Sequence, residues 1–296
     1  MSTLLLVAGK PAAPAPLRLA IYYGLPSLVN GAGGDLATAV AEVSHYDVLV
    51  LGDGLEFDAD AAGHAGAAEH AFTARLIRRL ALTPRRPSIF GYVDLGRTQH
   101  LAPAHITDRI DRWAAMGVHG VFLDEAGYDF GVTRDRQNQA LLAARARGLR
   151  VCFNAYRPDD VFGGDRVPLN AVGGGNPQGL KPLLSSRDAI LLESFAVAGG
   201  TIEPDASSAR RVEIALEGRR RFGTRVFAVA TGGDDAGLAE HAWSVASMFG
   251  LDAFGWSSPD YGAAASRLRW VAPPDVAGAR VRAHGKDTPS WNGRTR

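Results

Sequence analysis

The sequence predicts a single (β/α)8 barrel, and three observations carry the prediction. Eight short runs of apolar, β-branched or aromatic residues recur along the 296 residues, continuous rather than alternating. Such runs are the mark of parallel strands buried on both faces. Longer amphipathic patterns separate them, several ending in glycine just before the next run, as a left-handed helix cap does. A doubly wound sheet would want a G-x-G-x-x-G turn after the first strand. Here Gly24 is followed by Leu25, Pro26 and Ser27, and the Gly31–Gly34 cluster comes too late.

The elements follow in order. Residues 1–17 read as an N-terminal arm with a Pro/Ala linker, and residues 18–271 as the barrel. The first strand is Arg18–Gly24, and a loop through Gly31–Gly34 leads to a helix at Asp35–Val43. Strands follow at Tyr46–Gly52 and Ser88–Asp94. The helix Ile106–Met116 sets Ile106, Ile110, Trp113 and Met116 on its buried face, with Arg109 expected on the polar one. Trp113 reads as helix–barrel packing.

After the strand His119–Asp124, Thr133 opens a helix that Gly148 closes. The strand Arg150–Ala155 holds Cys152, expected in the core, and a long Gly/Pro/Asp-rich loop spans Tyr156–Lys181. Loops of that length are functional or mobile. Strand Asp188–Glu193, helix Ser207–Phe222, strand Arg225–Ala230, helix Ala236–Phe249 and strand Leu251–Trp256 complete the pattern. Residues 272–296 lose periodicity and read as a basic tail.

Composition narrows the function. Lys and Arg number 32 against 31 Asp and Glu, a formal charge of +1. Broad phosphate binding wants a strong basic excess, so nucleic acid is not an expected partner. No stretch approaches the ~20 apolar residues of a membrane span. One cysteine excludes an internal disulfide framework, and the eight scattered histidines do not suggest a metal site. The run Leu4–Ala8 is too short for a secretory core and has no basic residue before it. The chain is therefore expected in the cytoplasm or released as part of a particle, its termini making contacts with that particle or with a second copy.

In a (β/α)8 barrel the site lies where the strands end. The predicted strands end at Tyr23, Asp53, Tyr92 and Asp94, Asp124 and Glu125, Asn154 and Tyr156, Glu193, and Trp256. Acids at four of eight strand ends exceed the one position in ten that 31 acids in 296 residues would give. Carboxylates crowded in a crevice repel one another unless a task repays them. Glycoside hydrolysis is such a task, and it needs one protonated and one ionised carboxyl but no metal or cofactor. Apolar walls at Ile190–Leu192 should raise the Glu193 pKa by desolvation, which assigns Glu193 as acid and Asp124 as nucleophile or base. Tyrosines and Trp256 offer faces for a sugar.

Ser88–Glu193 resembles the endo-α-1,4-polygalactosaminidase family and its spherulin-4-like neighbours. The likeness rests on Gly91-Tyr92, Trp113, the stretch Gly120–Glu125 (GVFLDE), Asn154 and Glu193. It implies catalysis by Asp124 and Glu193, with Asp94, Glu125 and Asn154 around the substrate; Tyr23, Asp53, Tyr92, Tyr156 and Trp256, from their strand-end positions, and Tyr128 complete the expected substrate-binding set. It also implies an amino-sugar polysaccharide as substrate, which suits an acidic cleft. The runs Tyr128–Arg134 and Tyr156–Gly163 are similar to a branch associated with phage tails or tail-like particles, where such a barrel would meet a surface glycan. The rivals are a non-catalytic glycan-binding or structural module, and a barrel that depends on a metal or phosphate.

Overall fold

The computed structural model describes residues 15–59, 65–203, 206–257 and 267–268. The expected tail over 272–296 and most of the expected arm, residues 1–14, lie outside the described residues. Eight parallel strands close into a barrel: β1 (Leu17–Tyr22), β2 (Val48–Leu51), β3 (Ser88–Asp94), β4 (Gly120–Asp124), β5 (Arg150–Asn154), β6 (Ala189–Leu192), β9 (Arg225–Thr231) and β10 (Ala253–Ser257). Between β6 and β9 a small antiparallel hairpin, β7 (Val197–Ala198) and β8 (Thr201–Ile202), interrupts the repeat. The hairpin has no apolar run long enough to announce it in the sequence.

The helices are α1 (Leu36–Val43), α2 (Ala67–Leu80), α3 (Pro103–Met116), α4 (Arg134–Ala146), α5 (Asp159–Phe162), α6 (Ala206–Phe222) and α7 (Ala236–Met248). Asp35, Thr133 and Asp235 cap α1, α4 and α7, each side chain accepting the backbone N–H three residues on. Gly117, Gly148, Gly223 and Gly250 have φ between 61° and 86°, the left-handed closure expected before β4, β5, β9 and β10.

Strand parity divides the core in two. Leu19, Ile21, Val48, Val50, Phe90, Phe122, Cys152, Leu191, Phe227 and Val229 fill the barrel interior, with Tyr23 and Tyr92 packed over them. The alternate residues, among them Leu49, Ile89, Val121, Phe153, Ile190 and Val226, face the helices. Burial pushes the Cys152 thiol far up, as suits a core position.

Trp113 has no exposed surface, and its Nε1 donates to the Tyr92 carbonyl at 2.9 Å. Gly91 is required there, because a Cβ would meet the indole at 2.1 Å. Arg109 departs from the expected polar face: it is buried and donates to Glu56 at 2.8 Å and to Asp53. Two carboxylates across the α3 face replace the water that an exposed arginine would have had. Among the described residues no helix is long and apolar enough to cross a membrane.

Candidate active site

The strand alternation that buries Phe90, Phe122, Cys152 and Leu191 also turns the residues ending these runs inward. Tyr92 and Asp94 continue from Phe90, Asp124 from Phe122, Asn154 from Cys152 and Glu193 from Leu191. Asp94 and Asp124 are register partners on β3 and β4. The barrel mouth is thus walled by acids from neighbouring strands.

Asn154 joins the two predicted catalytic groups. Its Nδ2 donates to Asp124 Oδ1 at 2.7 Å and to Glu193 Oε1 at 2.7 Å. The two acceptor oxygens therefore stand no further apart than the sum of those distances, 5.4 Å.

The surroundings of the two carboxyls differ. Desolvation raises both pKa values above the usual carboxylate range. Asp124 is then pulled down by three donors: the Asn154 amide, the Glu125 backbone N–H and the Tyr92 hydroxyl. Glu193 feels the repulsion of Asp124 as its next largest effect and has only the Asn154 amide and the Arg211 charge against it. Donors that favour the ionised form are thus concentrated on Asp124, leaving Glu193 as the better holder of a proton.

The other predicted residues are spread around this pair. Tyr92 crosses Tyr23 edge to face at 5.4 Å between ring centroids, and burial with the neighbouring Asp124 and Asp94 pushes its hydroxyl pKa far up. Asp94 is fully buried, with neither carboxyl oxygen closing a hydrogen bond. Desolvation, then repulsion by Glu125 and Asp124, raises its pKa to about 6; the backbone N–H groups of Gly96 and Gln99 oppose this from nearby without closing a hydrogen bond. Glu125 turns aside: its carboxylate accepts from the Thr98 backbone N–H at 3.0 Å and from the Thr98 hydroxyl.

Asp53 is held by Arg109 and by Gln99 Nε2 at 2.7 Å. Tyr156 is half exposed, with the Arg211 guanidinium 4.3 Å from its ring centroid.

Two predicted residues point elsewhere. Trp256 lies on the outward face of β10, buried, its Nε1 donating to the Gly233 carbonyl at 2.9 Å. Tyr128 is buried in the loop after β4, where its N–H donates to Asp160 and its hydroxyl accepts from Arg134.

Four residues around the site are absent from those the sequence predicts. Thr98 and Gln99 lie in the loop after β3. Arg109 gave a faint signal, as a charge one position from Ile110 on a helix with a strong apolar stripe. Arg211 donates to the Glu193 carbonyl at 2.8 Å from α6, and nothing in its helical pattern marks it. Among the described residues no three His, Cys, Asp or Glu side chains gather as a metal site.

A closed (β/α)8 barrel with a paired-carboxylate mouth is the class that fold and site define. No family model matches the sequence, and no curated protein matches it significantly. Solved structures share the fold. The glycoside hydrolase domain of PelA from Pseudomonas aeruginosa is 16% identical with a TM-score of 0.51, over 86% of this chain and 100% of that one. The tryptophan synthase A-subunit from Pyrococcus furiosus is 11% identical with a TM-score of 0.51, over 83% of this chain and 89% of that one. At these identities the likeness is one of fold.

Proposed function

We propose that this chain is a retaining glycoside hydrolase acting on an amino-sugar polysaccharide of the galactosamine type. The observation that carries the proposal is the Asn154 amide shared between Asp124 and Glu193, which holds their near oxygens within 5.4 Å. Carboxyls ~5–5.5 Å apart suit a nucleophile and an acid on one glycosidic bond, whereas ~6.5–9.5 Å leaves room for the water of an inverting enzyme.

Asp124, with its three donors, attacks the anomeric carbon. The bond to the leaving oxygen breaks as Glu193 gives that oxygen its proton. A water then attacks the same carbon, passing a proton to the Glu193 carboxylate and releasing Asp124. Each group ends as it began. Tyr92 steadies the Asp124 carboxylate through its hydroxyl, and Asn154 fixes both groups without carrying charge. The acids at the mouth favour a glycan bearing free ammonium groups, and such a cation beside Asp94 would draw off its proton.

The test is cleavage of a galactosamine polymer, with product anomers followed by NMR. The axial or equatorial product seen first should match the bond cleaved. D124N and E193Q should each lower turnover by ~10³-fold or more while the fold persists. An inverted first product would end the retaining assignment, and binding of the polymer with no product from wild type would favour the non-catalytic module.

A further inference from the structure

A cleft of about 520 Å³ opens beside the barrel mouth, between α5 and α6. That volume is the size of a small-molecule site. Its floor is apolar, from Pro158, Phe162 and Ile214, and Gly218 is needed because a Cβ would meet the Phe162 ring at 2.5 Å.

Its walls are cationic. Arg157, Arg210, Arg211 and Arg221 line it together with two acids, Asp159 and Glu217. Arg157 is engaged by Asp159 at 2.9 Å. Arg210 reaches Glu213 at 3.2 Å, but both side chains are about two-thirds exposed, where such a pair is worth little. Arg221 lies over the Phe222 ring, 4.7 Å from its centroid, and among the described residues no carboxylate pairs with it.

Two of the residues lining the cleft tie it to the elements that carry the proposed catalytic pair. Tyr156, two residues past Asn154, is one of its walls. Arg211 is another, stacked on Tyr156 and donating to the backbone of Glu193.

The two regions have opposite charge. A uniformly cationic polymer would be drawn to the mouth and repelled by Arg210 and Arg221. We infer that the cleft is a second subsite, and that it takes successive hexuronate units of the glycan whose amino sugar occupies the mouth, since Arg210 and Arg221 stand about three turns apart on α6. A planar carboxylate matches a guanidinium fork, and the apolar floor suits the C–H face of a sugar ring. The inference rests on the glycosidase reading for its place in the reaction, but cleft binding is readable without turnover.

The test is calorimetric titration with an α-1,4-galacturonate hexasaccharide and with its neutral methyl ester. Wild type and E193Q should bind the free acid at least tenfold more tightly than the ester. R210E/R221E should lose that preference with its thermal transition unmoved, and R221Q, which keeps the side-chain size, should weaken it. Equal binding of acid and ester, no binding of either, or a preference that survives R210E/R221E would overturn the assignment. Preference for the acid together with cleavage of neither a galactosamine polymer nor a glycan that alternates amino sugar and hexuronate would sink the glycosidase reading and leave the cleft standing.

Discussion

Glu125 and Ser194 share one backbone conformation, left-handed with φ 51° at each. Each directly follows a carboxylate of the proposed pair, Asp124 or Glu193. A left-handed residue ends the strand at once, so the chain turns off the barrel rim and the acid before it stays at the lip. For Glu125 the turn also carries its side chain away to Thr98.

Left-handed backbone costs an L-residue ~1–2 kcal/mol and a β-branched one more. Ser194→Val should therefore lower unfolding free energy by about 1–2 kcal/mol in urea titration, and lower turnover with it. Ser194→Gly, free of that cost, should hold stability within about 1 kcal/mol of wild type. Equal midpoints for the valine and glycine variants would show that Ser194 bears no strain.

Gly91→Ala tests the packing under the site. The added methyl would sit 2.1 Å from a Trp113 ring that is fully buried and tied to the Tyr92 carbonyl. The indole cannot swing aside without losing that bond. A loss of ~3 kcal/mol or more is expected, seen as a lower urea midpoint at unchanged slope. Because the Tyr92 hydroxyl favours the ionised form of Asp124, turnover should fall as well.

Asp94 sets a pH dependence of stability. Its folded pKa is about 6 against an ordinary 3.8, with desolvation the main cause. The folded chain therefore holds this proton more tightly than the unfolded one. The contribution of Asp94 to stability is highest with its carboxyl protonated, falls as pH rises from about 4 to about 6, and is level above. Asp94→Asn should make the fall across that window shallower and leave the variant ~2–3 kcal/mol more stable than wild type at pH 7, Glu56 and Asp160 keeping their own share of it. Thermal unfolding of both proteins between pH 4 and 7 reads this, and parallel curves would refute it.

The barrel was legible because its strands are buried on both faces and so appear as unbroken apolar runs. Asp124, Asn154 and Glu193 were legible because they end such runs. The same continuity hid the parity of β10: in Ala253–Trp256 every residue is apolar or glycine, so nothing told Trp256 outward from inward. Arg109 was placed with its charged neighbours because its partners, Asp53 and Glu56, are more than 50 residues away. The turns at Glu125 and Ser194 carry no glycine, and a left-handed turn without glycine leaves no mark in a sequence.

Asn154 offers the most direct test of the paired site. Its amide lowers the pKa of both Asp124 and Glu193, since it donates to the ionised form of each. Removing it should raise both. In a bell-shaped profile of kcat/KM the acid limb reports ionisation of the nucleophile and the alkaline limb loss of the acid's proton. Asn154→Ala should therefore move both limbs to higher pH, shifting the bell rather than narrowing it. Turnover at the optimum should fall ~10²-fold, because the two carboxyls lose the group that fixes their separation. Asn154→Asp would place a third acid between them and raise both pKa values further by repulsion. A profile that only loses height, with both limbs where wild type has them, would mean that the amide does not bridge the pair during catalysis.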